Sequence, residues 1–486
     1  MNQDEHSSFL FAESAQVSEE QLQAQKLDML QKHNYNLLNN ILGQNKTTPV
    51  RIQNVNLIYN ASENEYRDSF LQRQLRPLLS DNSGLTLQRF VQNLDQVSEN
   101  FAKTGMVNNV VMSVDHQRTR PGFRGQPNLY GPNLVTNVYI SSVKKLFMKV
   151  GTNIGNGEGD GFLTLQYKNL FGGGETLNFN TNVGSNSIGS ASRTTYLLDL
   201  SSPIWNEPWL RGTILGYSTS RTVDWTTKHD QSAVGLSFKL HTLNRLINHE
   251  LTYDNAMRTI RVLPQTGRVS NQMLFESGEN FKSSLNYSVS YDSRAKNTTL
   301  PSSGTLARSE IELSSLKNIK FLVEFNKLFA WVGQISSFSC KIGYIHSLAG
   351  GQGIHFMDRF FIGGSNDVRG FSLNSLGPKQ MGLPVGGNLF LAGGVSNFSS
   401  LPFYPESNFK LHQFVNFGKL VNTRGQSLGE KAAHFGAEPI ALSCGLGLAY
   451  LHPAARFELN FVLPLQTATT DLPRKGFQFG IGVSFL

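Results

Sequence analysis

Hydrophobic and polar residues alternate with a period of two along most of the chain, from about residue 143 to the end. In the last segment, Phe477 and Phe479 alternate with Gln478 and Gly480. Such alternation predicts strands that have one apolar and one polar face. The pattern recurs in about sixteen segments of roughly ten residues, which is the length that a tilted strand needs to cross a bilayer.

Backbone groups in lipid must be hydrogen-bonded within the protein, so membrane strands have to close on themselves. We therefore predict a transmembrane antiparallel β-barrel of about sixteen strands over residues 143–486. A soluble β-sandwich or barrel also alternates and is the alternative. Two features favour the membrane barrel: its strands exceed the usual length of about five or six residues, and Arg, Glu and Asn occupy faces that would point inward.

Residues 49–142 have a different pattern, which predicts a small α+β domain in the order β-α-α-β-β. The strands are predicted near 52–59, 107–115 and 134–140, and the first helix is predicted over 65–79. The second helix has an apolar stripe with spacings of three and four residues, and Gly105 ends it. That stripe consists of Leu87, Phe90, Leu94, Val97 and Phe101. Residues 1–48 are polar and predict an arm that is partly helical or disordered.

The composition agrees with a membrane barrel, a class of protein that the mean hydropathy does not reveal. Of 486 residues, 16% are charged, and the mean hydropathy is −0.25. Every second barrel residue faces a wet interior, which lowers the mean. No apolar stretch reaches the roughly 18 residues of a transmembrane helix. The first ten residues lack the basic and apolar regions of a secretory signal and the arginine-rich character of a transit peptide.

Little in the sequence points to enzyme chemistry or nucleic acid. The net charge of +8 is scattered rather than clustered, so we expect no nucleic-acid partner. Cys340 and Cys444 lie far apart and predict no disulfide framework. No zinc-ligand spacing, phosphate-binding loop or nucleophile elbow occurs. We therefore predict a protein that is not an enzyme and has no catalytic residues, no metal and no cofactor.

A long connection at 349–386 interrupts the strands, and a loop of that length in a compact barrel is expected to be functional. Within it, Val368-Arg369-Gly370-Phe371 resembles the signature loop of the outer-membrane β-barrel assembly superfamily of sixteen-stranded barrels. The domain at 49–142 resembles one polypeptide-transport-associated (POTRA) repeat. A narrower resemblance is to the fungal core barrels of the mitochondrial sorting and assembly machinery. It is carried by residues 377–378, 412, 417–422, 452–453, 455–461 and 474–480.

This resemblance implies insertion and assembly of β-barrel precursors in the mitochondrial outer membrane, with the soluble domain facing the intermembrane space. The implied partners are β-barrel precursor proteins, other subunits of the sorting and assembly machinery and membrane lipid, together with cristae-organising and import-pore complexes. A protein-translocating channel of the same superfamily and a membrane-architecture scaffold are the alternatives, because a fold does not fix a function.

Arg369 is the first residue to which a role can be given. An arginine flanked by glycine and aromatic residues can fold inward, and its guanidinium can donate two bonds to a carboxylate. Glu458, on the inward face of its strand, is the candidate partner in the barrel wall. The alternative is that Arg369 lies in a solvated loop and that Glu458 pairs with a neighbouring strand.

The second candidate site is the place where the first and last strands meet. An unpaired strand edge offers N–H and C=O groups to an incoming strand, and glycines weaken strand pairing. The resemblance implies that a client strand pairs with the first strand at this lateral gate. Alternatively, the glycines merely suit a tightly curved barrel. The candidate gate residues are Lys145, Phe147, Met148, Lys149, Val150 and Gly151 in the first strand, and Gly476, Phe477, Gln478, Gly480 and Gly482 in the last.

Overall fold

The chain folds into two compact units, residues 1–143 and 144–486, in this computed structural model. The predicted polar arm lies almost entirely outside the described residues. The structure describes residues 40, 43–59, 66–80, 84–116, 132–155, 158–186, 192–263, 269–294, 300–331, 333–348, 353–402, 404, 407–423, 428–452 and 455–482.

The first unit is an α+β domain with a three-stranded sheet. Its strands have the order β1-β3-β2, with β1 parallel to β3 and β3 antiparallel to β2. The elements are β1 (Arg51–Tyr59), α1 (Asp68–Gln74), α2 (Arg76–Leu79), α3 (Leu87–Thr104), β2 (Val107–His116) and β3 (Asn133–Ser142). The single helix predicted over 65–79 was wrong, because two short helices occupy this region. Pro77 lies at the start of the second, where its missing N–H costs no helical bond.

The core of this domain forms on the predicted apolar stripe of α3. Phe90, Val97 and Phe101 are fully buried against the sheet and the first two helices. The Thr86 side chain accepts a bond from the N–H of Arg89 at the start of α3, and Gly105 ends the helix with φ +67°. Both ends therefore follow from residue chemistry: an N-terminal hydroxyl cap and a glycine in the left-handed region.

The second unit is a sheet of sixteen antiparallel strands, as predicted. Each strand pairs with its neighbours in chain order. The strands are β4 (Leu146–Gly155), β5 (Glu158–Lys168), β6 (Thr176–Asn186), β7 (Ser192–Pro203), β8 (Leu210–Val223), β9 (His229–Thr242), β10 (Ile247–Val262), β11 (Gly278–Asp292), β12 (Gly304–Ser314), β13 (Asn318–Trp331), β14 (Gln334–Ser347), β17 (Leu389–Ser400), β18 (Phe409–Val421), β19 (Ala441–Leu451), β20 (Arg456–Gln466) and β21 (Gly476–Gly482).

The connections between these strands hold the remaining elements. A two-stranded ribbon, β15 (Lys379–Gln380) and β16 (Leu383–Pro384), belongs to the long connection after β14, and α4 (Asn271–Phe275) and α5 (Leu428–Ala437) follow β10 and β18. Lys145, predicted in the first strand, lies one residue before β4. Residues 483–486, predicted as strand, and 349–352 of the long connection fall outside the described residues.

The two faces of the sheet differ as the alternation predicted. On β20 and β21, Leu459 and Phe477 are 50% and 72% exposed, whereas Glu458 and Asn460 are 1% and 2% exposed. The outward face is apolar and the inward face polar, which is the arrangement of a transmembrane barrel. In the described part of the chain, no helix is both long and apolar enough to cross a membrane.

The two ends of the sheet are the first and last strands. β4 pairs with β5 along Leu146–Gly155, and β21 pairs with β20 along Gly476–Gly482. Among the described residues of these two end strands, no ladder joins one to the other. The remaining edge of each strand therefore keeps its N–H and C=O groups outside the ladder.

Helix α5 lies against the outer side of the wall. Lys419 belongs to the outward-facing set of β18, yet it is only 8% exposed. Its ammonium donates to the backbone oxygens of Phe435 and Glu438 at the end of α5. Lys431 of α5 donates to the hydroxyl of Tyr344, which also faces outward, at 3.0 Å. The helix thus covers the outward faces of β14 and β18 at the end of the strands that carries the long connection.

Candidate functional site

The long connection after β14 folds into the barrel and is attached to its inner wall at two places. Residues 353–386, the described part, are called the signature loop below. The first attachment contacts β18 to β21 through Arg369 and Gly370, and the second contacts β10 and β11 through Asp358. Because both attachments use inward-facing wall residues, the loop occupies the lumen rather than the solvent above it.

Arg369 and Glu458 meet in the first attachment. Glu458 Oε2 accepts from Arg369 Nη2 at 2.8 Å and from Arg369 Nε at 3.2 Å. The Asn416 side-chain oxygen accepts from Nη1 at 3.2 Å, and the guanidinium lies 4.9 Å from the ring centre of Phe414. Arg369 and Glu458 are almost completely buried, with side-chain exposures of 1% and 0%. A buried arginine of this kind needs several simultaneous partners to offset its desolvation.

Glu458 is part of a larger polar cluster on the inner wall. Arg456 Nε lies 2.9 Å from Glu458 Oε1, and the side chain of Asn460 donates to Oε2 at 3.0 Å. His412 Nδ1 lies 2.9 Å from the side-chain oxygen of Asn460, and its ring stacks on Phe398 with centroids 4.5 Å apart. The loop arginine therefore enters a preformed network rather than an isolated pair, so its loss would leave Glu458 with other polar contacts.

The residues on either side of Arg369 fit the wall by size. Gly370 has φ +87°, and a Cβ there would lie 3.0 Å from the side chains of Ser443 and Val462. Only glycine fits this position without strain or a clash. Val368 is fully buried and fills the space above Gly418, where an added Cβ would lie 2.7 Å from Val368 Cγ2. The loop is thus positioned by both charge and shape.

Phe371 completes this contact. It is 1% exposed and forms a β-bridge with Pro473 in the connection between β20 and β21. Two backbone bonds flank the bridge: Ser372 N–H donates to Leu472 O at 3.1 Å, and Arg474 N–H donates to Gly370 O at 2.8 Å. The signature loop therefore pairs with the segment that leads directly into the last strand.

The second attachment is a buried ion cluster around Asp358. Its Oδ1 accepts from Arg258 Nη1 at 2.9 Å and from Lys282 Nζ at 2.7 Å. Lys282 also pairs with Glu312 on the next strand. Two basic wall residues thus converge on one loop carboxylate, which fixes the beginning of the loop against β10 and β11.

Arg359, the next residue, holds the loop to itself and to a neighbouring connection. Its guanidinium donates to Glu276 Oε1 at 2.6 Å, to Ile354 O at 2.6 Å and to Val385 O at 3.0 Å. Because Ile354 and Val385 lie near the two ends of the loop, Arg359 ties those ends together. No sequence motif marked this attachment. The one available signal was a pair of charged residues, Asp358-Arg359, in an otherwise aromatic segment of the loop.

The predicted gate residues lie on the two end strands with defined facings. On β4, Leu146, Met148 and Val150 belong to the outward set, and Phe147, Lys149 and Gly151 belong to the inward set. On β21, Phe477 and Phe479 point outward and are 72% and 58% exposed. Gly476, Gln478, Gly480 and Gly482 make up the inward set. The inner face of the last strand is therefore nearly bare of side chains.

Within the described ranges, no group of three or more His, Cys, Asp and Glu residues is placed to hold a metal ion. Cys340 and Cys444 are free.

The part of the chain that contains most of the barrel and its signature loop matches a known superfamily. The model of the Omp85 superfamily domain matches residues 169–485. The chain is 29% identical to the SAM50-like protein of Schizosaccharomyces pombe, over 92% of this chain and 94% of that protein. It is 30% identical to the Sorting assembly machinery 50 kDa subunit of Saccharomyces cerevisiae, over 83% and 88% of the two chains. The chain belongs to the SAM50 family of the Omp85 superfamily.

Solved structures agree with this assignment at the level of the fold. BamA from Haemophilus ducreyi lacking POTRA domains 1–3 matches with a TM-score of 0.66 and 16% identity, over 89% of this chain and 84% of that one. CdiB from Acinetobacter baumannii matches with a TM-score of 0.52 and 13% identity, over 90% and 73%. At these identities the likeness shows a shared barrel fold and leaves the function to the family.

The SAM50 assignment confirms the family resemblance that the sequence motifs predicted. It makes the chain a β-barrel of the mitochondrial outer membrane with a role in β-barrel assembly, within a machinery of several subunits. The superfamily consists of assembly and transport proteins, in agreement with the prediction that this chain is not an enzyme.

Proposed function

We propose that this SAM50-family barrel inserts β-barrel precursors into the mitochondrial outer membrane through a lateral gate between β4 and β21. A client strand would pair with the exposed edge of β4 and template the folding of the strands behind it. The completed client would then leave sideways into the lipid. The energy would come from client folding and strand pairing, since each new backbone bond in lipid removes an unsatisfied polar group.

The observation that carries this proposal is the pair of end strands. They terminate the sheet, and no ladder joins them among the described residues of Leu146–Gly155 and Gly476–Gly482. A row of N–H and C=O groups at a sheet edge is a template for another strand. An N–H or C=O group without a hydrogen bond costs more free energy in a membrane than in water, because lipid offers no hydrogen bonds.

The composition of the last strand supports opening at this position. Gly476, Gly480 and Gly482 contribute no side chains to the inner wall. Strand residues gain stability largely by packing against cross-strand neighbours, and glycines lose that contribution. Separation of β21 from its surroundings therefore costs less than separation of two central strands.

The signature loop favours an insertase over a passive channel. Its attachments at Asp358 and Arg369 lie on separate groups of wall strands, β10 and β11 for Asp358 and β18 to β21 for Arg369 and its neighbour Gly370. A segment attached at both places crosses the lumen and obstructs it. A polypeptide-conducting pore would require this loop to leave, whereas a gate at the wall can work with the loop in position.

The soluble domain would face the intermembrane space and contact clients or other subunits of the machinery. This orientation and these partners are expected from the family. Membrane lipid at the gate and the cristae-organising and import-pore complexes are further proposed partners.

Depletion of this protein from cells would distinguish an insertase from a membrane-architecture scaffold. Porin-type barrels should be lost before membrane shape changes.

Reconstitution provides the direct test. The chain is placed in liposomes with an unfolded porin-type client, and insertion is scored as protease-protected barrel. In a background of Cys340→Ser and Cys444→Ser, cysteines replace Met148 and Phe479, which share the outward face of the two end strands. Cross-linking this pair should stop insertion, and a reductant should restore it.

A matched pair controls for the cross-link itself. Leu163 and Thr181 are direct partners on β5 and β6, so a disulfide between cysteines at these positions locks strands that are already paired and should leave insertion unchanged. If the protein with its end strands cross-linked inserts clients as fast as the same protein after treatment with reductant, the gate is refuted.

A further inference from the structure

One side chain on the inner face of the last strand contacts the signature loop. Gln478 is the only inward-facing position of Gly476–Gly482 that is not glycine. It is 7% exposed, and its side-chain oxygen accepts from the N–H of Gly370 at 3.1 Å. Its side-chain nitrogen donates to Arg474 O at 3.3 Å. Both ends of the amide are therefore used, and the partners define its orientation.

These bonds form a closed connection between three segments. Gly370 O accepts from the N–H of Arg474 at 2.8 Å, so loop, connection and strand meet within one short ring of hydrogen bonds. Gly370 also has no space for a side chain between β19 and β20. The loop backbone at this point is consequently held close to the wall, where a strand side chain can reach it.

The same position adjoins the polar cluster that binds Arg369. Asn460 is the ladder partner of Gln478, and the side chain of Asn460 donates to Glu458 at 3.0 Å. The residue that precedes Gly370 is Arg369 itself. Displacement of the arginine from Glu458 would therefore move the backbone N–H that Gln478 accepts.

We propose that Gln478 is a positioning residue that couples the seating of the signature loop to the pairing of the last strand. The contact exists only when the loop is seated and β21 lies in its place on the sheet. Gln478 therefore stabilises the seated loop only when β21 is paired, and the paired β21 only when the loop is seated. By thermodynamic linkage, each of these two equilibria then affects the other to the same extent. Release of the loop then loosens the last strand, and loosening the strand releases the loop. The functional meaning of this coupling rests on the proposed gate, whereas the coupling itself does not.

A merely structural glutamine would behave differently. Its loss would loosen β21 locally, without reaching the loop, and the effects of Gln478 and Arg369 would be independent. The bare inner face of the strand sharpens this distinction. The neighbouring inward positions are glycines, so no adjacent side chain on Gly476–Gly482 can take over the contact.

Amide hydrogen exchange of the full chain in lipid nanodiscs, without any client, tests the coupling. The exchange rates of the peptides that cover 476–482 and 360–376 are compared. Gln478→Ala should raise both rates by roughly two- to tenfold, the factor expected for one buried hydrogen bond. Arg369→Lys should also raise both. In the double variant the increases should be smaller than the product of the single effects.

Two further variants keep the test decisive. Gln478→Asn is one methylene shorter and cannot span the contact to Gly370, so it should act in the same direction if the alanine variant fails to fold. Gln166→Ala removes another inward-facing glutamine of the wall, which donates to Asn178 on β6 at 2.8 Å, and should change neither peptide.

The outcomes separate the coupling from the gate. An increase confined to 476–482, or multiplicative effects in the double variant, would overturn the coupling. Coupled exchange in a chain that inserts no client would overturn the proposed function and leave the coupling intact.

Discussion

Replacement of Arg369 by lysine isolates the geometry of the first loop attachment from its charge. The guanidinium donates two bonds to Glu458 and one to Asn416, and it lies over Phe414. A lysine keeps the positive charge but has one nitrogen atom, which cannot reach both acceptors in the same arrangement. The variant should therefore lose at least one charged hydrogen bond, which is worth about 2 kcal/mol. This corresponds to roughly a thirtyfold shift of the loop toward the released state.

The assay is the alkylation rate of a buried loop cysteine. Ser375 is fully buried, so a cysteine at this position, in a chain that lacks Cys340 and Cys444, reacts with a maleimide only when the loop leaves the wall. Arg369→Lys should raise the rate about thirtyfold, the same shift as above. Arg294→Lys serves as the control, because Arg294 pairs with Asp292 at 3.0 Å in a half-exposed site away from the loop.

Equal alkylation rates in the wild type and the Arg369 variant would refute this reasoning, as would an equal increase from the Arg294 control. A charge swap between Arg369 and Glu458 would be a poorer test. Arg456 Nε lies 2.9 Å from Glu458, so an arginine at position 458 would face a second arginine. Failure of the swap to restore function would then say nothing about the loop.

Three further predictions concern shape, the second attachment and the soluble domain. Gly370→Ala should release the loop measurably in the same alkylation assay, because its Cβ would lie 3.0 Å from side chains of the wall. The control is Gly382→Ala, which has φ +80° and open space and should cost only backbone strain. Equal effects of the two variants would exclude the steric cause. Asp358→Asn should weaken the attachment of the loop to the wall by about 2 kcal/mol. An unchanged alkylation rate would show that this attachment is dispensable. Phe101→Ala should destabilise the soluble domain by about 3–5 kcal/mol in pulse proteolysis, whereas the exposed Val111→Ala should stay within about 0.5 kcal/mol.

Sequence periodicity predicted the barrel well because the two faces of each strand meet opposite environments. The alternation of Phe477, Gln478, Phe479 and Gly480 marks an outward and an inward face, and the structure has sixteen strands with these facings. The soluble domain was less certain where a local signal competed with periodicity. The stripe of α3 gave its helix correctly, whereas Pro77 divides a segment that hydrophobic spacing alone made continuous.

The candidate site was predictable only where a motif marked it. Arg369 stood out through its glycine and aromatic neighbours, and Glu458 followed because its strand had a clear inward face. Asp358 had no such marker, since its partners Arg258 and Lys282 lie on strands 76 or more positions away in the chain. Contacts of this kind depend on strand register and on the path of the loop, which a period of two does not encode.

Helix α5 has a consequence for the surroundings of the barrel. Lys419 faces outward, and its ammonium donates to backbone oxygens at the end of this helix, so the segment stands where annular lipids would otherwise touch β14 and β18. The ring of lipids around the protein is therefore interrupted near one margin over roughly the 10 Å width of a helix. Any molecule that approaches the barrel along that sector of the membrane plane meets polypeptide first.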